Sequence, residues 1–170
     1  LAPDAAQAIL AALNEAGIDP SRLELEVTET LLTADDPRIA SFMQELARHG
    51  IGFSLDDFGT GYSSLRPIHL YPFRTLKVDR SLVSGAQSGP RGDAVIRTLA
   101  EMGQTLGMQV VAEGLETVEQ VRSASAAGCT LGQGWHFSRA VPDHAAALML
   151  AEEAKRLGDT DFQNQRRLAG

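Results

Sequence analysis

The sequence has a single cysteine, Cys129, in 170 residues. That excludes an internal disulfide and fits a reducing, cytoplasmic setting. It lacks any apolar run near the roughly 20 residues needed to cross a bilayer, and nothing in it reads as a signal peptide. Positive charge is short as well: 15 Lys and Arg face 22 Asp and Glu, for a net charge of −7. A surface for DNA is therefore not expected, because phosphate-backbone binding rests on Lys and Arg. An acidic chain can still take a phosphate ester where its carboxylates hold divalent cations that reverse the local sign. Low-complexity sequence is missing, and the length is too short for two comfortable domains. The chain enters helix-like sequence almost at once after Leu1, as a segment cut from a longer protein would.

What is present fits one globular core, with 44% hydrophobic and 22% charged residues. Apolar spacing and end signals predict helices over about 4–16, with Asp4 as cap, and from Asp36 and Pro37 to a stop at Gly50. Further helices are expected over about 93–106 before Gly107, from Thr117 to about Ala126 before Gly128, and from about Asp143 to Arg156. Between them lie the β-like runs LELEV (23–27), IGFSLD (51–56), TLKVD (75–79), MQVVAE (108–113) and CTLGQG (129–134). Strand and helix alternate, which implies βα units and a parallel sheet. Residues 1–158 make the expected domain, and 159–170 a polar tail.

Side chains of a strand alternate faces. Glu24 and Glu26 therefore share one face of their run, opposite Leu25 and Val27. Lys77 lies with Thr75 and Asp79, Glu113 with Gln109 and Val111, and Gln133 with Leu131. Each run offers one polar-bearing face, and its last polar residue sits at the C-terminal end. An open doubly wound sheet favours apolar residues on both faces. A barrel admits a polar upper layer, and barrel active sites lie at the C-terminal ends of the strands. The pattern predicts an α/β fold: an incomplete TIM-type barrel of about five parallel strands with surrounding helices.

The pair Asp56–Asp57 sets like charges side by side before a run of glycines and hydroxyls. On its own such a pair is most simply a turn, and Lys77 on a strand is most simply an edge charge or an ion pair. Glu26, Asp56, Asp57, Lys77 and Glu113 at the same ends of their strands point instead to a metal site. His49, His69, His136 and His144 show no ligand spacing and read as structural or surface residues. Cys129 reads as a small buried strand residue, Trp135 as a packing residue, and EEAKR (152–156) as a solvated helix face with i,i+3 and i,i+4 pairing. Glu24 is given no catalytic role.

The blocks EVTET (26–30), DDFGTGYSSL (56–65), KVD (77–79), VVAEGLET (110–117) and GCTLGQGWHFSR (128–139) resemble, in order and spacing, the EAL domain. That bacterial phosphodiesterase family linearises cyclic di-GMP to pGpG. The resemblance implies a (β/α)8 barrel and two Mg2+ or Mn2+ ions, which suit hard oxygen ligands. It implies Glu26 on the first ion, Asp56 between the two and Asp57 on the second, with Glu113 as second-ion ligand or general base. Lys77 matches the lysine that positions the water, and Asp79, Glu116 and Gln133 match supporting residues. Glu29 matches the anchor of a loop containing Gly59, Thr60, Gly61 and Ser63. Attachment to sensory or GGDEF-type domains is implied too.

The Glu-Ala-Leu motif that names the family is not in this sequence, nor is the next strand, whose asparagine completes the first ion's shell. The match starts at the helix before the fourth of eight strands. Leu115, Thr30, Leu82 and Ala140 are smaller departures. Five strands cannot close a barrel, so an open edge is expected to drive dimerisation or aggregation, and turnover in the isolated chain is expected to be impaired. Two readings remain: part of a cyclic di-GMP phosphodiesterase, or a catalytically inactive EAL-like module binding the nucleotide or a protein. An unrelated metal-dependent barrel hydrolase is a third.

Overall fold

The computed structural model describes residues 2, 4–32, 36–59, 66–86 and 90–168. The first unit, Leu1–Phe137, begins with α1 (Ala5–Ala16), β1 (Glu24–Thr28), α2 (Glu29–Leu32), α3 (Pro37–Arg48) and β2 (Gly52–Phe58). It continues with α4 (Arg66–Leu70), β3 (Thr75–Val78), α5 (Arg80–Ala86), α6 (Pro90–Thr105), β4 (Gln109–Ala112), α7 (Val118–Ala127) and β5 (Leu131–Gly132). The second unit, Ser138–Gly170, is built on α8 (Asp143–Leu168).

All five strands pair in parallel in the order β1-β2-β3-β4-β5, so the sheet follows the chain and is open, with β1 and β5 at its edges. Every connection between consecutive strands carries helix, as parallel pairing requires. This is the predicted α/β architecture of five parallel strands with surrounding helices.

Local chemistry explains the helix ends. Asp36 accepts a hydrogen bond from the Arg38 N–H at 2.9 Å and Pro37 takes the first helical position of α3. Thr117 and Gln120 form a reciprocal capping box on α7, and Gly128 closes that helix at φ 101°. Asp4 does not cap α1: its backbone, at φ −107° and ψ 10°, is not extended, and its carboxylate accepts no cap hydrogen bond. Helix α8 runs through Gly158 to Leu168, beyond the end expected near Arg156. One interior glycine costs a helix only about 1 kcal/mol, and no proline follows to stop it. On α8 the Arg156–Glu153 pair forms at 3.0 Å with i,i+3 spacing, as the sequence suggests. The short helices α2, α4 and α5 have no counterpart in the sequence expectation.

The alternation of faces holds. Phe53 and Leu55 of β2 and Leu76 of β3 are fully buried among apolar residues of α1 and α3. Val78 of β3 and Val110 and Ala112 of β4 are buried with Val83, Ile96, Ala100 and Ala124 of the later helices. Burial of each large aliphatic or aromatic side chain stabilises by about 1.5–3 kcal/mol, and this side of the sheet therefore carries most of the stability. The opposite parity carries Glu26, Ser54, Asp56, Thr75 and Lys77.

The register between β2 and β3 shifts at one place. Leu55 pairs with Leu76 and Phe58 with Val78, so Asp56 and Asp57 together stand opposite Lys77 alone. This is a β-bulge. Asp57 takes a left-handed backbone, φ 56°, the only non-glycine residue among the described ones to do so. Such strain of about 1–3 kcal/mol persists where the surroundings over-determine it, commonly at functional sites.

Candidate active site

Four charged side chains from neighbouring strands meet at one point. The Lys77 Nζ lies 2.9 Å from Glu26 Oε1, 3.0 Å from Asp56 Oδ1 and 2.8 Å from Glu113 Oε1. Lys77 is buried, Asp56 and Glu113 are mostly covered, and Glu26 is exposed on the edge strand β1. Pairing sets Glu26 beside Ser54, Asp56 beside Thr28, and Lys77 beside Val111. Glu113 follows β4 directly, with its N–H donating to the Val78 carbonyl at 3.0 Å. The strands thus bring together residues that lie far apart in sequence.

One ammonium among three carboxylates leaves an excess of negative charge in a partly desolvated place. Burial works against the charge on Lys77, but the carboxylates of Glu113, Glu26 and Asp56 outweigh it and hold its pKa above the ordinary lysine value. Glu113 is pushed the other way from most ion-paired acids. Burial raises its pKa and the negative charges of Asp56 and Glu26 add to that, so that the Lys77 ammonium offsets only part of the rise. A covered carboxyl with a raised pKa beside a cation has the character of a general base.

Two buried oxygens here lack hydrogen bonds, Ser54 Oγ and Asp56 Oδ1. The second lies 3.0 Å from the Lys77 ammonium. Ser54 is a feature that the sequence reading passed over. Its signal was parity, since it lies two residues before Asp56 on the same face of β2.

The remaining candidates fall into distinct places. Asp57 is exposed at the bulge. Glu29 is buried at the start of α2. Gly59 ends the described part of its loop at φ 98°, where a Cβ would meet the Leu82 side chain at 2.5 Å. Thr60, Gly61 and Ser63 lie outside the described residues. Asp79 accepts from the Ser81 N–H at 2.8 Å at the head of α5. Burial would raise its pKa, but the hydrogen bonds from Ser81 and Arg80 hold it below the ordinary value. Glu116 is exposed, and its N–H donates to Gln120 Oε1 at 2.7 Å. Gln133 is joined by its backbone to both sides of Glu113: its N–H donates to Ala112 and its carbonyl accepts from Leu115. Gly134 then passes so close to the Leu115 backbone that no Cβ fits. Cys129 is half-buried and precedes β5 rather than lying in it, and burial raises its thiol pKa. Trp135 is exposed.

Among the described residues no group of three or more His, Cys, Asp or Glu is placed to hold a metal ion as the side chains stand. The donor set nonetheless fits a hard cation. Its atoms are all carboxylate oxygens, and their negative charge exceeds that of the one ammonium among them.

Comparison with known proteins decides the family. The EAL domain family matches residues 1–140. The chain belongs to the EAL domain family. This EAL chain is 40% identical over 131 residues to "Cyclic di-GMP phosphodiesterase NbdA" of Pseudomonas aeruginosa, covering 77% of the chain and 17% of NbdA. Among solved structures it resembles the MucR phosphodiesterase of the same organism in its cyclic di-GMP complex. The TM-score is 0.79 with 32% identity, over 85% of this chain and 59% of that one. It also resembles the manganese and cyclic di-GMP complex of Klebsiella pneumoniae BlrP1, with TM-score 0.76 and 33% identity over 81% of this chain and 35% of that one. The chain spans about a fifth of the length of curated relatives that it matches. As an EAL domain, its five parallel strands are those of a TIM-barrel-type fold.

Proposed function

We propose that this EAL chain carries the catalytic end of a phosphodiesterase that hydrolyses cyclic di-GMP to linear pGpG. The observation that carries the reading is the convergence of Glu26, Asp56 and Glu113 on Lys77 at the C-terminal ends of neighbouring strands. The names of relatives such as NbdA, and the cyclic di-GMP in the MucR complex, support the substrate class. The manganese in the BlrP1 complex supports a divalent ion.

Glu26, Asp56, Asp57 and Glu113 would hold two Mg2+ or Mn2+ ions. Such a pair lowers the pKa of a water and stabilises both the attacking and the leaving oxygen. This chain's own groups do the rest. Glu113, with its raised pKa, takes the proton of the attacking water as the new P–O bond forms. Lys77 donates to the water and offsets charge growing on the phosphoryl oxygens. The P–O3′ bond breaks, and the leaving O3′ takes a proton from bulk water, to which Glu113 later returns the one it accepted. Asp79 fixes the turn after β3, Gln133 fixes the backbone beside Glu113, and Glu116 supports the start of α7. Glu29 serves the loop from Gly59, with Thr60, Gly61 and Ser63.

The isolated five-stranded sheet is expected to turn over orders of magnitude more slowly than a closed barrel. Its open edge is expected to pair with a second copy. In the whole protein, attachment to sensory or GGDEF-type domains in the cytoplasm fits relatives such as the "Bifunctional diguanylate cyclase/cyclic di-GMP phosphodiesterase MucR". No helix among the described residues is long and apolar enough to cross a membrane. The test is chromatography of cyclic di-GMP incubated with the chain and Mn2+, with and without chelator. Linear pGpG formed only with the metal is expected. Intact nucleotide from a folded chain would favour the non-catalytic binding module.

A further inference from the structure

Trp135 is the single tryptophan of the chain, and it is 61% exposed. The sequence assigns it to packing, and the structure does not place it there. One exposed aromatic ring is ordinary on a protein surface. What distinguishes Trp135 is where its backbone is held and how firmly. Two residues before it, the Gln133 N–H donates to the Ala112 carbonyl at 2.9 Å and the Gln133 carbonyl accepts from the Leu115 N–H at 3.0 Å. One residue after it, the His136 N–H donates to the Leu115 carbonyl at 2.8 Å, and the Phe137 N–H closes the turn on the Gly134 carbonyl at 3.1 Å. Gly134 lies so close to the Leu115 backbone that a side chain there would overlap it. Trp135 therefore sits in a tight turn bonded on both sides to the segment that carries Glu113. Phe137, in the same turn, has its ring edge-on to His136 at 5.3 Å, which leaves the indole as the broader exposed ring.

We propose that Trp135 is a base-stacking platform, taking one guanine ring of cyclic di-GMP against its indole while a phosphodiester lies at the cluster of Glu26, Asp56, Lys77 and Glu113. This rests on the phosphodiesterase reading above and adds to it a residue that recognises a base. Charge and rigidity both favour a purine as the occupant. With 15 basic residues against 22 acidic ones, the chain has little positive charge to spread along a nucleotide, and base–aromatic stacking needs none. A turn already fixed along its backbone loses little freedom when the base arrives, so more of the stacking energy appears as affinity.

Because Trp135 is the only tryptophan, its own emission reports the contact. In the parent chain with Mn2+, saturating cyclic di-GMP is expected to lower acrylamide quenching of that emission severalfold, since a stacked purine covers the indole. Inorganic phosphate, which carries no base, is expected to leave the quenching unchanged. Equilibrium dialysis supplies the affinities. Trp135→Phe keeps a π-face and is expected to bind the nucleotide within about threefold of the parent. Trp135→Leu keeps apolar bulk without the π-face and is expected to bind about tenfold more weakly or worse. Its melting midpoint should match the parent's, because the residue is exposed. Nucleotide bound by the parent with acrylamide quenching unchanged, or equal affinity in Trp135→Leu, overturns the stacking and leaves the phosphodiesterase reading standing. Protection of the indole by phosphate alone overturns the stacking as well. A parent chain that binds no cyclic di-GMP overturns both.

Discussion

Glu26, Asp56 and Lys77 share strands with Val27, Leu55 and Leu76, yet the two sets face opposite sides of one sheet and obey opposite rules. On the helix side Leu55, Leu76, Val78 and Val110 are completely buried among apolar neighbours. On the other side a lysine is buried among acids, a serine hydroxyl and a carboxylate oxygen lack hydrogen bonds, and Asp57 holds a left-handed backbone. A sheet tolerates such a face only when its other face is stable enough to hold it in place. Side-chain parity, one residue in two, is what divides stability from chemistry.

The contrast breaks most visibly in activity. In a complete EAL barrel Asp56→Asn is expected to lower the rate of hydrolysis about a thousandfold or more, while the melting temperature stays near that of the parent. Lys77→Ala is expected to do the same to the rate. Across the sheet, Leu76→Ala is expected to cost about 2–5 kcal/mol in urea unfolding, with any activity loss following the folded fraction. A cost below about 1 kcal/mol would show that the helix side is less committed to stability than its burial implies. Ser54→Ala sharpens the comparison from within the polar face. Removing a hydroxyl that has no partner is expected to be neutral or to stabilise by about 1 kcal/mol, against the usual sign for a buried polar residue.

The smallest effect is one of pH. Burial raises the folded pKa of Glu113 above 4.5, so the folded state holds that proton more tightly than the unfolded one. The resulting stabilisation is fully present below pH 4.5 and is lost as pH rises through the folded value. Compared at low and neutral pH, the stability of the parent minus that of Glu113→Gln is expected to fall as pH rises. A difference that grows with pH would mean that the Lys77 ammonium, and not burial, governs Glu113.

Much of this was legible in the sequence because it depends on periodicity. All five strands lie where β-like runs predict them, and Glu26, Lys77 and Glu113 fall on the face that parity assigns. Strand ends were less legible: of CTLGQG only Leu131 and Gly132 are strand, since past them the Gln133 carbonyl accepts from the Leu115 N–H and Gly134 packs against the Leu115 backbone. The bulge at Asp56 and Asp57 was hidden for a related reason. It is a property of the register between two strands, and neither strand alone specifies it. Asp4 had a capping residue type without the backbone angle, and Gly158 had a stop signal that its helix overrides. The meeting of three carboxylates on one ammonium depends on rotamers and reach, which spacing does not encode.

The claim that the polar face carries the chemistry is tested most directly by the rate of pGpG formation from cyclic di-GMP with saturating Mn2+, for the parent and Asp56→Asn at equal folded fraction. The account predicts product from the parent and at most about a thousandth of that rate from the variant. Equal rates would contradict it and place the reaction elsewhere.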